Sequence, residues 1–260
     1  MRILLFGLLL ATASCRRPST QIKSTLTPVN SPAPLADYSR YLKAGDAVVA
    51  LGNEPSWSLT INPSKNILRF KTPAGDSITT PVPDRITEPN GGFRYAAEAG
   101  SDRIVALFRP DSCVDPMSGQ RFDYRVDVTV RGKSYAGCGV SLQQVSLLQD
   151  IWVLAELNGK PIAATGSDRE RPRLEIMLTE GRVTGTTGCN RLSGSVKADT
   201  RQLLFGPLIT TKMACLNDST NLERTFLTGL QTTPLLYRVG EGRLTLLSGN
   251  TPLMVFRKVD

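Results

Sequence analysis

The sequence predicts a mainly β protein of two small antiparallel β domains, sheet or barrel-like, the second an α+β domain with one helix packed on its sheet. Three observations carry this expectation. Residues 56–61 and 122–130 alternate apolar and polar side chains with period two, which turns one face of each segment toward a core. Glycine-bearing turn signals, Asn90-Gly91-Gly92, Arg131-Gly132-Lys133 and Asn158-Gly159, separate such segments. A helical stripe with a start signal occurs late in the chain, after Thr220. A length of 260 residues suits one or two domains with real cores.

The elements follow in order. Arg2 precedes an apolar run over residues 3–13, which at about 11 residues is too short to cross a bilayer of roughly 30 Å. A charged start, a short apolar core and the small residues Thr12-Ala13-Ser14 describe an export signal over residues 1–14. Followed by Cys15, these residues resemble the lipobox of bacterial lipoproteins, with Thr12 where that family usually has Leu. The resemblance implies acylation of Cys15 and attachment to a membrane. Arg16 stands where an Asp retains such proteins at the inner membrane, so the expected place is the outer membrane, facing the periplasm. Residues 16–35 are half Pro, Ser and Thr, with few apolar anchors. Such a segment buries too little to offset its ordering entropy and reads as a tether reaching roughly 25 Å. The tether unit, residues 15–45, ends in a short helical turn over 36–45.

Charge follows the same division. The chain carries +8 in total. Residues 1–45 hold six Lys or Arg and one Asp, residues 46–146 hold eleven of each sign, and residues 147–260 hold fourteen against eleven. A basic tether beside a lipid anchor suits anionic headgroups, at roughly 1 kcal/mol per charge. The rest shows no Lys/Arg run interleaved with stacking aromatics, so no nucleic-acid partner is expected.

The first domain spans residues 46–146. Beyond the two alternating segments it holds a short buried run over residues 104–108. The second spans residues 147–260. Residues 152–157, 174–178 and 203–205 read as strands, and Thr220-Asn221-Leu222-Glu223 matches a capping box. The helix it opens carries Leu222, Phe226, Leu227 and Leu230 on one side and stops at Pro234, before a hairpin over residues 244–256. Cys113, Cys138, Cys189 and Cys215 remain after Cys15 is set aside. An exported chain meets an oxidising compartment, and four Cys allow three connectivities. Spacing favours 113–138 and 189–215, one bridge per domain, each stabilising by roughly 3.5 kcal/mol in the chain-entropy model.

Trp152-x-Leu154, Leu157-Asn158-Gly159-Lys160-Pro161, Val183-x-Gly185, Gly188-Cys189-Asn190-Arg191, Thr211-x-Met213-Ala214-Cys215 and the closing Leu244-x-Leu246 and Leu253-x-Phe256 resemble the META domain of the HslJ family of heat-shock proteins, over residues 149–258. Leu192 stands where that family usually has an aromatic residue. The resemblance implies a small α+β domain in a bacterial envelope setting, with links to heat shock and novobiocin tolerance and no agreed activity. Gly52-Asn53-Glu54-Pro55-Ser56-Trp57, Cys113-x-Asp115-x-Met117-Ser118-Gly119 and Gly137-Cys138-Gly139 resemble an uncharacterised bacterial lipoprotein domain often found beside META.

Chemistry is scarce. The chain has no His, which removes Ser-His-Asp and Cys-His sites and every His-ligated metal, and it has no Cys-x-x-Cys pair. No catalytic residue, metal or cofactor is assigned. Ser64-Lys65 lies in an expected exposed turn, a poor place for a Ser-Lys dyad. Three residues remain as candidates for ligand contact or loop shaping. Asp115 reads as a carboxylate for acid/base or metal work, or more simply as an acceptor for turn amides. Glu54 shapes a ligand loop or leads into a strand. Asn190 contacts a ligand or ties its amide to a tight loop. Met213 is expected in the core. These observations imply a non-enzymatic envelope lipoprotein, a binding or stabilising module whose partner is an envelope protein or an anionic glycolipid. The alternative is a periplasmic inhibitor of a hydrolase such as lysozyme, for which a neutral-to-basic pair of domains is a poor match to a very basic enzyme.

Overall fold

The alternation read in two segments recurs in several strands of the computed structural model, which describes residues 35–100, 102–162, 171–214, 219–233 and 235–259. The chain divides into Met1–Pro32 and Ala33–Asp260, and the described residues belong to the second unit. It starts with a short helix, α1 (Ser39–Ala44). Two nine-stranded antiparallel sheets follow.

The first contains β1 (Val48–Asn53), β2 (Ser56–Asn62), β3 (Ile67–Lys71), β4 (Ser77–Thr80), β5 (Ile86–Thr87), β6 (Phe93–Ala99), β7 (Asp102–Val114), β8 (Arg121–Val130) and β9 (Lys133–Ser141), in the order β4-β3-β2-β1-β9-β8-β7-β6-β5. Trp57, Leu59 and Ile61 turn inward from β2, and Val126, Val128 and Val130 from β8, as period two requires. The expected short run over residues 104–108 is the middle of a 13-residue strand. Ile104, Ala106 and Phe108 are buried there, but Pro110-Asp111-Ser112 breaks the alternation because the register with β8 shifts between Pro110 and Cys113.

After α2 (Gln143–Ser146) come β10 (Ile151–Leu157), β11 (Lys160–Pro161), β12 (Pro172–Met177), β13 (Arg182–Thr187), β14 (Arg191–Ala198), β15 (Gln202–Thr210), helix α3 (Ser219–Leu230), β16 (Leu235–Gly240), β17 (Arg243–Ser248) and β18 (Thr251–Lys258). Pairing of β10 with both β12 and β18 closes this sheet on itself. The loosest join is β15 to β16, where only Gln202↔Leu236 and Leu203↔Leu235 stand in register. Helix α3 connects these two strands. It buries Phe226 and Leu230 and packs Leu222 and Leu227 beside them, the stripe that the sequence predicts. The Phe226 ring lies 6.3 Å from that of Phe256 on β18.

One core lies within the first sheet, where Trp57, Phe70 and Tyr135 form an aromatic cluster with centroids 5.0 to 6.5 Å apart. The other core draws on both halves. Cys113, Phe122, Cys138 and Val140 from the first sheet join Leu142, Val145 and Leu148 of the link, and these join Trp152, Leu154 and the interior of the second sheet. Trp152 Nε1 donates to the Leu148 carbonyl at 2.9 Å, which fixes the link against β10. Ala36 and Tyr38, placed in the tether unit by composition, are buried in this shared core. Segment 35–45 is therefore a docked strap containing the expected helical turn, not free chain.

Candidate functional site

The three motifs of the first half meet at one place, and β7 brings them together. Past its bulge, β7 rejoins β8 in a shifted register, Cys113 opposite Phe122 and Val114 opposite Arg121. The Cys113–Cys138 disulfide, with Cα atoms 5.5 Å apart, ties it across β8 to β9. Asp115 is thereby carried to the end of β1, where its Oδ1 accepts from Asn53 Nδ2. Its Oδ2 accepts from the Ser118 amide at 2.9 Å and from the Ser118 hydroxyl, and its carbonyl accepts the Gly119 amide at 2.8 Å. Asp115 is only 5% exposed. Burial opposes its ionisation, but the Ser118 hydroxyl and amide, with the Asn53 amide, outweigh it and hold the carboxyl below the usual carboxylate range.

Close approach explains the glycines of the same motifs. A Cβ on Gly52 would stand 2.2 Å from Trp57 Nε1, and one on Gly137 would stand 2.1 Å from the Leu51 carbonyl oxygen. The room they leave lets Trp57 Nε1 donate to the Ala136 carbonyl at 3.1 Å. Glu54 is exposed in the β1–β2 turn and does not join this network.

Beside the network lies a cleft of about 720 Å³, at the tips of the β1–β2, β3–β4 and β8–β9 hairpins. Pro55, Pro73, Ala74 and Tyr135 supply its apolar walls, with Asp76 and Lys133 among the charged lining residues. Asp76 is paired with Arg131 at 3.6 Å and Lys133 at 3.8 Å, and Arg131 with Asp102 at 2.6 Å. Pro55 lies in the motif around Trp57 and Lys133 in a turn signal, but no sequence signal joins them to Pro73, Ala74, Asp76 and Tyr135, because the lining comes from three separate hairpin tips.

In the second half, Asn190 is the node. It is 4% exposed. Its Oδ1 accepts from the Thr211 hydroxyl and the Met213 amide, both at 2.8 Å, and its Nδ2 donates to both carboxylate oxygens of Glu223 at 3.1 Å. Its amide donates to Thr187 Oγ1 at 2.9 Å, and its carbonyl accepts the Thr187 amide at 2.8 Å. One Asn thus joins the β13–β14 turn, the end of β15 and α3. Met213 corrects an expectation: its side chain is 58% exposed, because β15 ends at Thr210 and the following segment takes up Asn190 through its backbone at the surface. Cys189 is disulfide-bonded. Cys215, its expected partner, lies outside the described residues, as do Cys15, the export signal and the tether through residue 34.

Ser64 donates its hydroxyl to Asn62 Oδ1 at 2.8 Å, in a turn whose side chains are exposed, so it is turned away from dyad chemistry. Among the described residues no group of three or more Cys, Asp or Glu could hold a metal ion, and no helix is long and apolar enough to cross a membrane.

Residues 145–260 match the family model of the META domain. Two structures solved by NMR are similar to the chain, each 24% identical with a TM-score of 0.36. One is covered over 94% of its length; the other, from Burkholderia xenovorans, over 88%. Each match takes in 45% of this chain. No curated protein matches significantly.

Proposed function

We propose, from the match of residues 145–260 to the META-domain model, a family that suggests a stress-related or envelope-associated protein, that the chain is a non-enzymatic lipoprotein of the bacterial envelope, held at the outer membrane through Cys15 and acting by contact. The observation that carries the proposal is the employment of Asp115 and Asn190. Both are buried, and both direct their side-chain hydrogen bonds to neighbouring backbone and side chains of the protein. A general acid or base must instead reach a substrate proton. The apolar run that stops at Cys15 supports the anchor.

The test is fractionation. Cys15→Ser should move the protein from the membrane to the soluble fraction. A variant that stays with the membrane overturns the anchor. The purified mature protein should also turn over no peptidoglycan, ester, peptide or phosphoester. Turnover abolished by changing one carboxylate, Lys or Ser overturns the non-enzymatic assignment. A pull-down from envelope extract separates the two classes of partner: recovery of lipopolysaccharide or an assembly protein supports the contact module, and recovery of a lysozyme supports the inhibitor.

A further inference from the structure

We propose that the hairpin-tip cleft of the first sheet is a binding site for an uncharged, largely apolar small molecule that presents a hydrogen-bond acceptor. Its volume, about 720 Å³, falls in the range of pockets that bury small ligands. The walls are apolar, from Pro55, Pro73, Ala74 and Tyr135.

Two hydroxyls there, those of Tyr135 and Thr72, make no hydrogen bond to a described residue. Tyr135 is only 6% exposed, and its ring is fixed against Phe70 and Trp57 at centroid distances of 5.0 and 6.5 Å. Its hydroxyl makes no hydrogen bond to a described residue, yet it is not sealed off from solvent. Thr72 Oγ1, on the β3–β4 tip, is sealed off and has no partner either. Buried polar atoms are normally satisfied, so two idle donors on residues lining one cleft mark a place where an acceptor belongs.

Charge decides the ligand class. Asp76 and Asp102 are matched by Arg131 and Lys133 through ion pairs of 2.6 to 3.8 Å, so the rim offers no surplus of either sign to recruit an ion. The β3–β4 tip leaves the mouth of the cleft open to solvent. Pro73, Ala74 and Gly75 are exposed, and nothing lies within 4 Å of the position a Gly75 Cβ would take.

The probe is Nile red, an uncharged dye with a carbonyl acceptor, titrated into the purified protein and followed by its emission. Saturable binding at one site with a blue shift is expected. Ala74→Trp and Ser134→Trp fill the cleft from exposed positions and should each weaken binding at least about tenfold with an unchanged melting temperature. Tyr135→Phe keeps the ring, removes the donor and should weaken it about fivefold. Ile209→Ser, at a side chain 72% exposed in the other sheet, should leave it unaltered. Absence of saturable binding, or equal affinity in the folded filling variants, overturns the site. Equal affinity in Tyr135→Phe overturns the role given to the hydroxyl.

Discussion

Asp115 shows what one buried carboxylate does in this protein. Its oxygens join the end of β7 to the end of β1 through Asn53, 62 positions away, and close their own turn through Ser118. Asp115→Asn keeps the shape but opposes two amide groups at Asn53 and removes the charge from the Ser118 bonds. The variant should lose about 1–3 kcal/mol of stability at neutral pH, measured by urea unfolding. The sign of the pH dependence is fixed. A carboxyl whose folded pKa is lowered contributes fully above its unfolded value, near about 4, and its contribution disappears as pH falls through the folded pKa. The gap between wild type and Asp115→Asn should therefore narrow below about pH 4. A gap that stays constant down to pH 2 would assign the effect to packing. The turn role of Asp115 is legible in Cys-x-Asp-x-x-Ser-Gly, since such a carboxylate caps nearby amides. Asn53 is not legible as its partner, because no local rule connects the two positions. The expectation for Met213 failed for a related reason: an apolar side chain carries no mark of the backbone duty that holds it at the surface.

At the scale of elements, the disulfide and the bulge act together. Beyond the register slip between Pro110 and Cys113, the end of β7 is held to β8 by two pairs, Cys113↔Phe122 and Val114↔Arg121. The bridge to Cys138 reinforces that short ladder. Replacing both Cys113 and Cys138 with Ala should cost about 3.5 kcal/mol for a loop of this length. Protection of the residue 111–119 amides from hydrogen exchange should fall before that of β1, β8 or β9. Uniform loss of protection across the sheet would show that the bridge serves the whole ladder instead. Strands with unbroken alternation, such as β2 and β8, were legible because one face of each meets one core. The full length of β7 was not, since a bulge inverts the alternation midway. Helix α3 was legible from its stripe of Leu222, Phe226, Leu227 and Leu230.

The molecule as a whole depends on a residue that composition alone assigns to a tether. Tyr38 is 5% exposed in the core shared by the two halves. Burial, and the carboxylates of Asp199 in the second half and Asp123 in the first, push its hydroxyl well above the ordinary tyrosine value. Asp37 pairs with Lys197 at 3.4 Å nearby, and Arg201 bridges to Asp123 at 3.2 Å. Tyr38→Ala removes a large side chain from this junction and should cost about 3 kcal/mol. It should also expose residues 142–150 to limited proteolysis, where the wild type resists. A variant that loses stability without new cleavage there would place the loss inside one sheet. The helical turn over 36–45 was legible in the sequence, but its docking was not, because Ala36 and Tyr38 are too few to form a periodic apolar pattern.

The strap also decides how tension would travel. A pull transmitted through residue 35 meets Ala36, Tyr38 and the Asp37–Lys197 pair before it reaches β1. The first resistance is thus a seated side chain at the seam rather than a row of strand hydrogen bonds. Under stretch, the seam would give way ahead of either sheet, leaving both sheets folded and able to reseat when the pull relaxes.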